Sequence, residues 1–106
     1  MPQEVLSLAK AQAKLARPWT HTVLGQVDDY CAYLCRFQGT YHFHQHVKDE
    51  MYLILEGEAF VEYQGGPTIY LRKGDSLVVS AGEVHRSGTH EEALVLMFKA
   101  RDLFAE

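Results

Sequence analysis

Three histidines at alternate positions, followed closely by a glutamate, constrain this chain more than any other feature. His42, His44 and His46 lie within the stretch Gly39–Gly57, and Glu50 follows four residues after His46. Because side chains alternate between the two faces of an extended strand, the three imidazoles point to one side, with neighbouring Cα atoms roughly 6.5–7 Å apart. A short turn over residues 47–49 would bring the Glu50 carboxylate back beside them. Imidazole and carboxylate groups bind Zn, Fe, Mn, Ni or Cu, so the stretch predicts a metal site.

A second glycine-rich stretch adds one more histidine. Between Gly74 and His85 the sequence predicts a strand and then a turn at residues 81–83. If these four ionisable groups lie together in the interior, they would be costly to bury without a metal ion or hydrogen-bond partners. Metal binding is therefore favoured over a site that has lost its ion. His21 and His90 have no such pattern around them and are interpreted as surface residues.

Together, the two stretches resemble the motifs of the cupin superfamily, in particular its small single-domain members of the cupin 2 type. The first motif corresponds to Gly39, four residues, His44-Gln45-His46, three residues, Glu50, six residues and Gly57. The second corresponds to Gly74, five residues, Ser80-Ala81-Gly82, two residues, His85, three residues and Thr89. The first spacing is one residue short of the family pattern. Ser80 replaces a proline and Thr89 replaces an asparagine, and neither substituted position supplies a ligand.

The resemblance implies an all-β fold, the double-stranded β-helix (cupin or jelly-roll barrel). It also implies that one divalent ion, Zn, Fe, Mn or Ni, is held by His44, His46, Glu50 and His85. Three further residues are predicted to line the pocket. His42 shares the ligand face of its strand, while Tyr52 and Ile54 lie on the same side of their strand as Glu50.

The domain organisation expected from the sequence is simple. The length of 106 residues indicates one domain. Residues 1–18 are predicted to form an N-terminal helical arm, with a helix over Glu4–Ala16 that ends before Pro18 and packs outside the barrel. Residues 19–106 form the barrel, with about nine or ten short strands separated by turns. These include a strand at Tyr41–His46, separate strands at Val84–Thr89 and Glu92–Lys99, and a tail from Arg101.

Composition argues against several classes of partner. The net charge is −4 and no basic patch is present, so nucleic acid is not expected as a partner. No apolar run is long enough for a membrane span, and the N-terminus lacks the features of a signal peptide, so a cytoplasmic location is expected. On one strand, Cys31 and Cys35 would be roughly 13 Å apart, so buried thiols are predicted instead of a disulfide. The family resemblance implies a homodimer.

Three hypotheses about function follow. The first is a metal-dependent enzyme that acts on a small polar molecule, of the dioxygenase, isomerase or lyase type found among small cupins. A phosphosugar isomerase is disfavoured because Arg36, Arg72, Lys73 and Arg86 are scattered and form no phosphate cluster. The alternative is a non-catalytic module that binds a small ligand with the help of the metal. In the third, the metal only braces the fold.

Overall fold

The structure, a computed structural model, describes residues 2–101. Within them one helix precedes seven strands. The helix is α1, Leu8–Gln12, and the strands are β1 His21–Val27, β2 Tyr30–Thr40, β3 Glu50–Glu56, β4 Glu58–Tyr63, β5 Thr68–Arg72, β6 Ser76–Val79 and β7 His85–Ala100. All strand pairs are antiparallel. The fold is the predicted all-β double-stranded β-helix with one short helix.

Strand β7 joins the two halves of the barrel. Its residues 88–100 pair with β2 on one side. On the opposite side, its residues 94–99 pair with β3 and its residues 85–88 pair with β4. One path of the sheet therefore runs β1-β2-β7-β3-β6, and β4 and β5 continue from the first residues of β7. This exchange of neighbours places His85 of β7 close to the start of β3, where Glu50 lies.

The barrel core is built from alternate residues of the strands. On β2, the inward set is Cys31, Tyr33, Cys35 and Phe37, as the period-two alternation predicts. Both cysteines are buried and free, as predicted. They pack with inward side chains of the other strands, among them Tyr52, Ile54, Val61, Val79 and Val95. Burial of these apolar side chains fixes which face of each strand points at the metal centre.

The N-terminal helix packs outside the barrel, as predicted, but it is shorter than the predicted Glu4–Ala16. Ser7 is extended and its side chain accepts a hydrogen bond from the Lys10 N–H, so the helix begins at Leu8. Ala11 and Leu15 pack against Leu34 of β2, together with Leu94 of β7. The preceding residues bury little surface; Val5 is 98% exposed. Without packing, a short helical turn is unstable, which explains the late start.

Two strand predictions were wrong. The predicted strands at Val84–Thr89 and Glu92–Lys99 are parts of one strand, β7, because β2 pairs with both parts across a register shift between Gln38 and Gly39. The predicted strand at Tyr41–His46 is a single bridge between His44 and His85. Residues 102–106 of the predicted tail lie outside the described residues.

Thr89 stands where the family motif has asparagine, and it has a structural role. Its Oγ1 donates a hydrogen bond of 2.6 Å to the Glu58 carbonyl, which ties β7 to the start of β4. We expect Thr89→Val to lower the free energy of unfolding by about 1 kcal/mol. The melting temperature would then fall by roughly 4–8 °C, measured by circular dichroism. Thr68→Val, at an exposed position, is the control, and equal shifts in the two variants would contradict this role.

Among residues 2–101, no helix is long and apolar enough to cross a membrane. The outer face of the long sheet carries apolar side chains, since Met51 and Phe98 are half-buried and Val78 is exposed. The homodimer and the cytoplasmic location stay predictions.

Candidate metal centre

The segment between β2 and β3 carries two of the four predicted ligands, His44 and His46, and leads directly to a third, Glu50, at the start of β3. It is held to β7 by paired backbone hydrogen bonds of 2.9 Å between His44 and His85. It is also held to the turn before His85, where Gly82 N–H donates to the His46 carbonyl at 2.9 Å and Ala81 N–H donates to Asp49 Oδ1 at 2.8 Å. These contacts bring the two sequence motifs together.

The structure gathers His44, His46, Glu50 and His85 into one buried cluster. One ligand atom from each residue lies within 4.8 Å of the others. The carboxylate is central, because Glu50 Oε1 is 3.3 Å from His46 Nε2 and 3.2 Å from His85 Nε2. Three imidazoles and one carboxylate at this separation are a donor set suited to Zn, Fe, Mn or Ni.

Backbone carbonyls orient two of the imidazoles. His44 Nδ1 is 2.9 Å from the His42 carbonyl, and His85 Nδ1 is 2.8 Å from the Glu83 carbonyl. Because a carbonyl oxygen only accepts, both Nδ1 atoms carry the proton, and the Nε2 lone pairs are left for the cluster. In His85 that lone pair faces the Glu50 carboxylate. Two acceptors at this distance need a proton or a metal ion between them, so these residues fit a bound cation.

The pKa values follow from burial and from these contacts. Burial alone would raise the pKa of Glu50, but hydrogen bonds from His46 and His85 outweigh it and hold the pKa well below its usual range. Burial lowers the pKa of His44 to about 4. Burial would also lower the pKa of His85, but its bond to Glu50 raises the pKa above the usual value. In the metal-free protein, a proton on His85 Nε2 would therefore be stabilised by the Glu50 carboxylate.

These shifts predict how the stability of the metal-free protein depends on pH. The pKa of His44 is about 4 in the folded protein and 6.5 in the unfolded chain. Between these two pH values the unfolded chain is therefore protonated at His44 while the folded protein is not. Stability should fall by about 2–3 kcal/mol as the pH drops from 6.5 to 4. Below the unfolded pKa of Glu50, 4.5, the depressed pKa of that residue adds a second loss. The pKa of His85 is raised in the folded protein, so protonated His85 stabilises the fold below pH 6.5. This contribution is lost as the pH rises from 6.5 through the raised pKa.

Urea unfolding in the presence of EDTA across this pH range measures the dependence. His44→Gln is the matched variant, since glutamine keeps the size and polarity of the side chain but does not titrate. Its stability should be flatter between pH 6.5 and the pKa of about 4. Identical profiles for the two proteins would contradict the assignment to His44.

A cavity of about 310 Å³ opens beside the cluster. One wall is aromatic, because the Trp19 ring lies 4.7 Å from the ring of Phe37 and 4.9 Å from that of Tyr41, centroid to centroid. Trp19 has a φ of 64°, a conformation unusual for a bulky residue and one that recurs at functional sites. The remaining lining residues are His21, Cys35, His42, His44, His46, Glu50, Tyr52, Ser87, Met97 and Lys99.

Tyr52 connects the cavity to the cluster. Its hydroxyl donates to Glu50 Oε1 at 2.8 Å and accepts from Ser87 Oγ at 3.1 Å. Burial and the Glu50 charge raise the pKa of Tyr52 well above its usual value. The phenol therefore stays protonated at neutral pH and holds the carboxylate in place.

The predicted pocket residues have different positions. His42 and Tyr52 line the cavity, whereas Ile54 is 1% exposed and packs in the core below it. Ile54 does not reach the cavity, because it lies two residues after Tyr52 on β3, farther into the core. His21 was interpreted as a surface residue; it is exposed, and it also lines the cavity rim.

Sequence reasoning missed Trp19, Phe37 and Lys99 as cavity residues. The position of Lys99 could have been predicted from the alternation along β7. Lys99 follows Val95 and Met97 at every second residue, so its side chain points to the same side of the strand as these two core residues. Trp19 precedes β1 in an irregular segment, and no periodicity marks it.

Comparison with known proteins agrees with this fold. A sequence model of the cupin domain matches residues 36–99. The chain belongs to the cupin domain family. The uncharacterized protein YdbB of Bacillus subtilis (strain 168) is 35% identical over 68 residues, which are 63% of this chain and 60% of that protein. The match thus spans less than two thirds of this relative.

Solved structures share the fold. A cupin-2 domain containing protein from Shewanella frigidimarina NCIMB 400 superposes with a TM-score of 0.86 at 22% identity, covering 92% of this chain and 95% of that one. DMSP lyase DddQ from Ruegeria pomeroyi DSS-3 superposes with a TM-score of 0.69 at 28% identity, covering 92% of this chain and 55% of that one. The chain is thus a small single-domain cupin with a buried cluster that is able to hold a metal ion.

Proposed function

We propose that this protein is a metal-dependent enzyme acting on a small polar molecule. The observation that carries the proposal is the Glu50 carboxylate facing the ring nitrogens of His46 and His85 beside an open cavity. His44, His46, Glu50 and His85 would hold one divalent ion, Zn, Fe, Mn or Ni. When bound, the ion would supply Lewis acidity, a water of lowered pKa or the ability to react with dioxygen.

The surrounding residues have distinct tasks in this proposal. Tyr52 and Ser87 form a hydrogen-bonded chain to Glu50 that fixes the carboxylate oxygen. Such outer contacts orient ligands and tune the site. The cavity volume of about 310 Å³ limits the substrate to a small molecule.

Lyase and dioxygenase chemistry are the reaction classes favoured here. A phosphosugar substrate is disfavoured because two of the arginines lie outside the cavity in ion pairs, Arg36 with Glu92 and Arg86 with Glu62. Among the described lining residues, Lys99 is the one lysine or arginine. The likeness to the DMSP lyase supports a lyase, while a redox-active ion in the same site would suit a dioxygenase.

Metal reconstitution followed by activity assays tests the proposal. Metal-free protein is loaded separately with Fe(II), Mn(II), Ni(II) and Zn(II), and turnover of small polar substrates is followed with and without oxygen. Activity that consumes oxygen with Fe(II) would identify a dioxygenase, and activity without oxygen would identify a lyase or an isomerase. The metal-free protein is the control.

Two outcomes would overturn the enzyme proposal. A ligand that binds tightly and is recovered unchanged, with no turnover under any metal, would indicate the alternative, a non-catalytic binding module. Co(II)-substituted protein whose spectrum shows no exchangeable water would indicate a metal that only braces the fold.

A further inference from the structure

Lys99 is a buried cation inside the barrel. It lies on β7 with Glu50 of β3 on one side of its strand and Cys31 of β2 on the other. Its side chain is 8% exposed overall and lines the cavity, with Nζ 5.5 Å from the centroid of the Tyr33 ring. Lysine is rarely buried to this extent, so this position is a specific feature of the cavity.

The charge balance of the cavity points to its ligand. Among the described residues that line it, Glu50 is the single carboxylate and Lys99 the single lysine or arginine. A divalent ion bound by Glu50 and neutral histidines would keep one net positive charge, to which the Lys99 ammonium adds another. Burial in a low-dielectric cavity makes such an excess costly unless an anion enters.

The position of Lys99 differs from that of the other cationic side chains. Arg36, Arg86 and Lys73 do not line this cavity. Lys99 is buried inside the barrel and lines the cavity together with His44, His46 and Glu50. Its placement is therefore suited to an anionic group of a substrate.

The cavity wall indicates the rest of that molecule. The rings of Trp19, Phe37 and Tyr41 lie in contact at tilted angles and give the cavity an apolar wall, which favours a ligand with an apolar or aromatic body. We propose that the cavity selects a small organic carboxylate, with Lys99 as a binding residue that provides the counter-charge and the aromatic wall contacting the carbon skeleton. This inference rests on the proposed function and names its substrate class.

Trp19 provides a direct readout, because it is the single tryptophan of the chain and lines the cavity. Zinc-loaded protein is titrated with benzoate and pyruvate, each beside its neutral amide, at constant ionic strength and neutral pH. We expect the acids to change Trp19 fluorescence at concentrations roughly 10- to 100-fold lower than the amides, the range for one charge-assisted hydrogen bond.

Variants of the lysine locate the preference. Lys99→Met, of similar length but uncharged, should bind acid and amide equally, and Lys99→Arg should retain part of the preference. Lys73→Met is the matched control, since Lys73 is exposed and pairs with Glu56 on the outer surface. It should behave as the unchanged protein.

The inference is overturned if acid and amide bind equally to the unchanged protein, if neither binds, or if Lys99→Met keeps the preference. If Lys99→Met does not fold, the inference is tested by comparing the binding of acid and amide to the unchanged protein. The titration is repeated on metal-free protein, where the Lys99-dependent difference should persist at lower affinity. A chain that binds no metal but keeps this difference would refute the proposed function alone, and a metal-loaded chain without it would refute the inference alone.

Discussion

Replacing both His44 and His46 with alanine is expected to abolish metal binding. Both residues supply atoms to the cluster whose members lie within 4.8 Å of one another. Removing two of four ligands removes roughly half of the binding free energy, so the affinity should fall by at least about 1,000-fold. Elemental analysis of untagged protein should then find close to one ion per chain in the unchanged protein and almost none in the variant.

Two single variants make this experiment specific. His42→Ala should keep the ion, because His42 is the exposed member of the three alternating histidines and lies outside the cluster. His90→Ala, at an exposed position away from the cavity, controls for a general effect of losing histidine. An ion retained by the double variant would show that other residues hold it. No ion in any of the proteins, even after reconstitution, would direct attention to the ligand-binding alternative.

Local spacing predicted which stretch of the sequence carries most of the ligands, because three alternating histidines are followed closely by Glu50. The choice of His44 and His46 over His42 came from the family resemblance. The assignment of His85 as a ligand also required the family resemblance. The pairing of β7 with β3 over one part and with β4 over another cannot be predicted from the local sequence. The inward face of β2 was likewise readable from its period of two.

What could not be predicted depends on contacts between distant segments. A strand needs a partner, and residues 41–46 form only one bridge to β7, although their composition favours a strand. The helix start is set by the Ser7 cap and by the lack of packing before it. The aromatic wall forms because Trp19 N–H donates to the Arg36 carbonyl at 2.7 Å, which holds an irregular segment against β2. Such contacts leave no periodic trace in the sequence.

Replacing Gly57 with alanine is expected to produce the largest loss of stability of any substitution proposed for this protein. Gly57 ends the first motif and forms the turn between β3 and β4 at a φ of 78°. An added Cβ would overlap the Glu92 carbonyl oxygen and lie 3.2 Å from Ala93 Cα, both backbone atoms of β7. The strain of the left-handed conformation and the forced displacement of β7 together should cost about 3–5 kcal/mol.

Gly74→Ala is the matched control for this prediction. Gly74 also has a left-handed φ, 89°, but nothing lies within 4 Å of an added Cβ. It should therefore lose only the conformational part, about 1–2 kcal/mol. Urea unfolding of both variants separates the two costs. Equal losses of stability in the two variants would show that β7 moves to accommodate the new methyl group at little cost. A much larger loss in Gly57→Ala would show that this glycine is needed because β7, the strand that carries His85 and Lys99, passes directly against the turn.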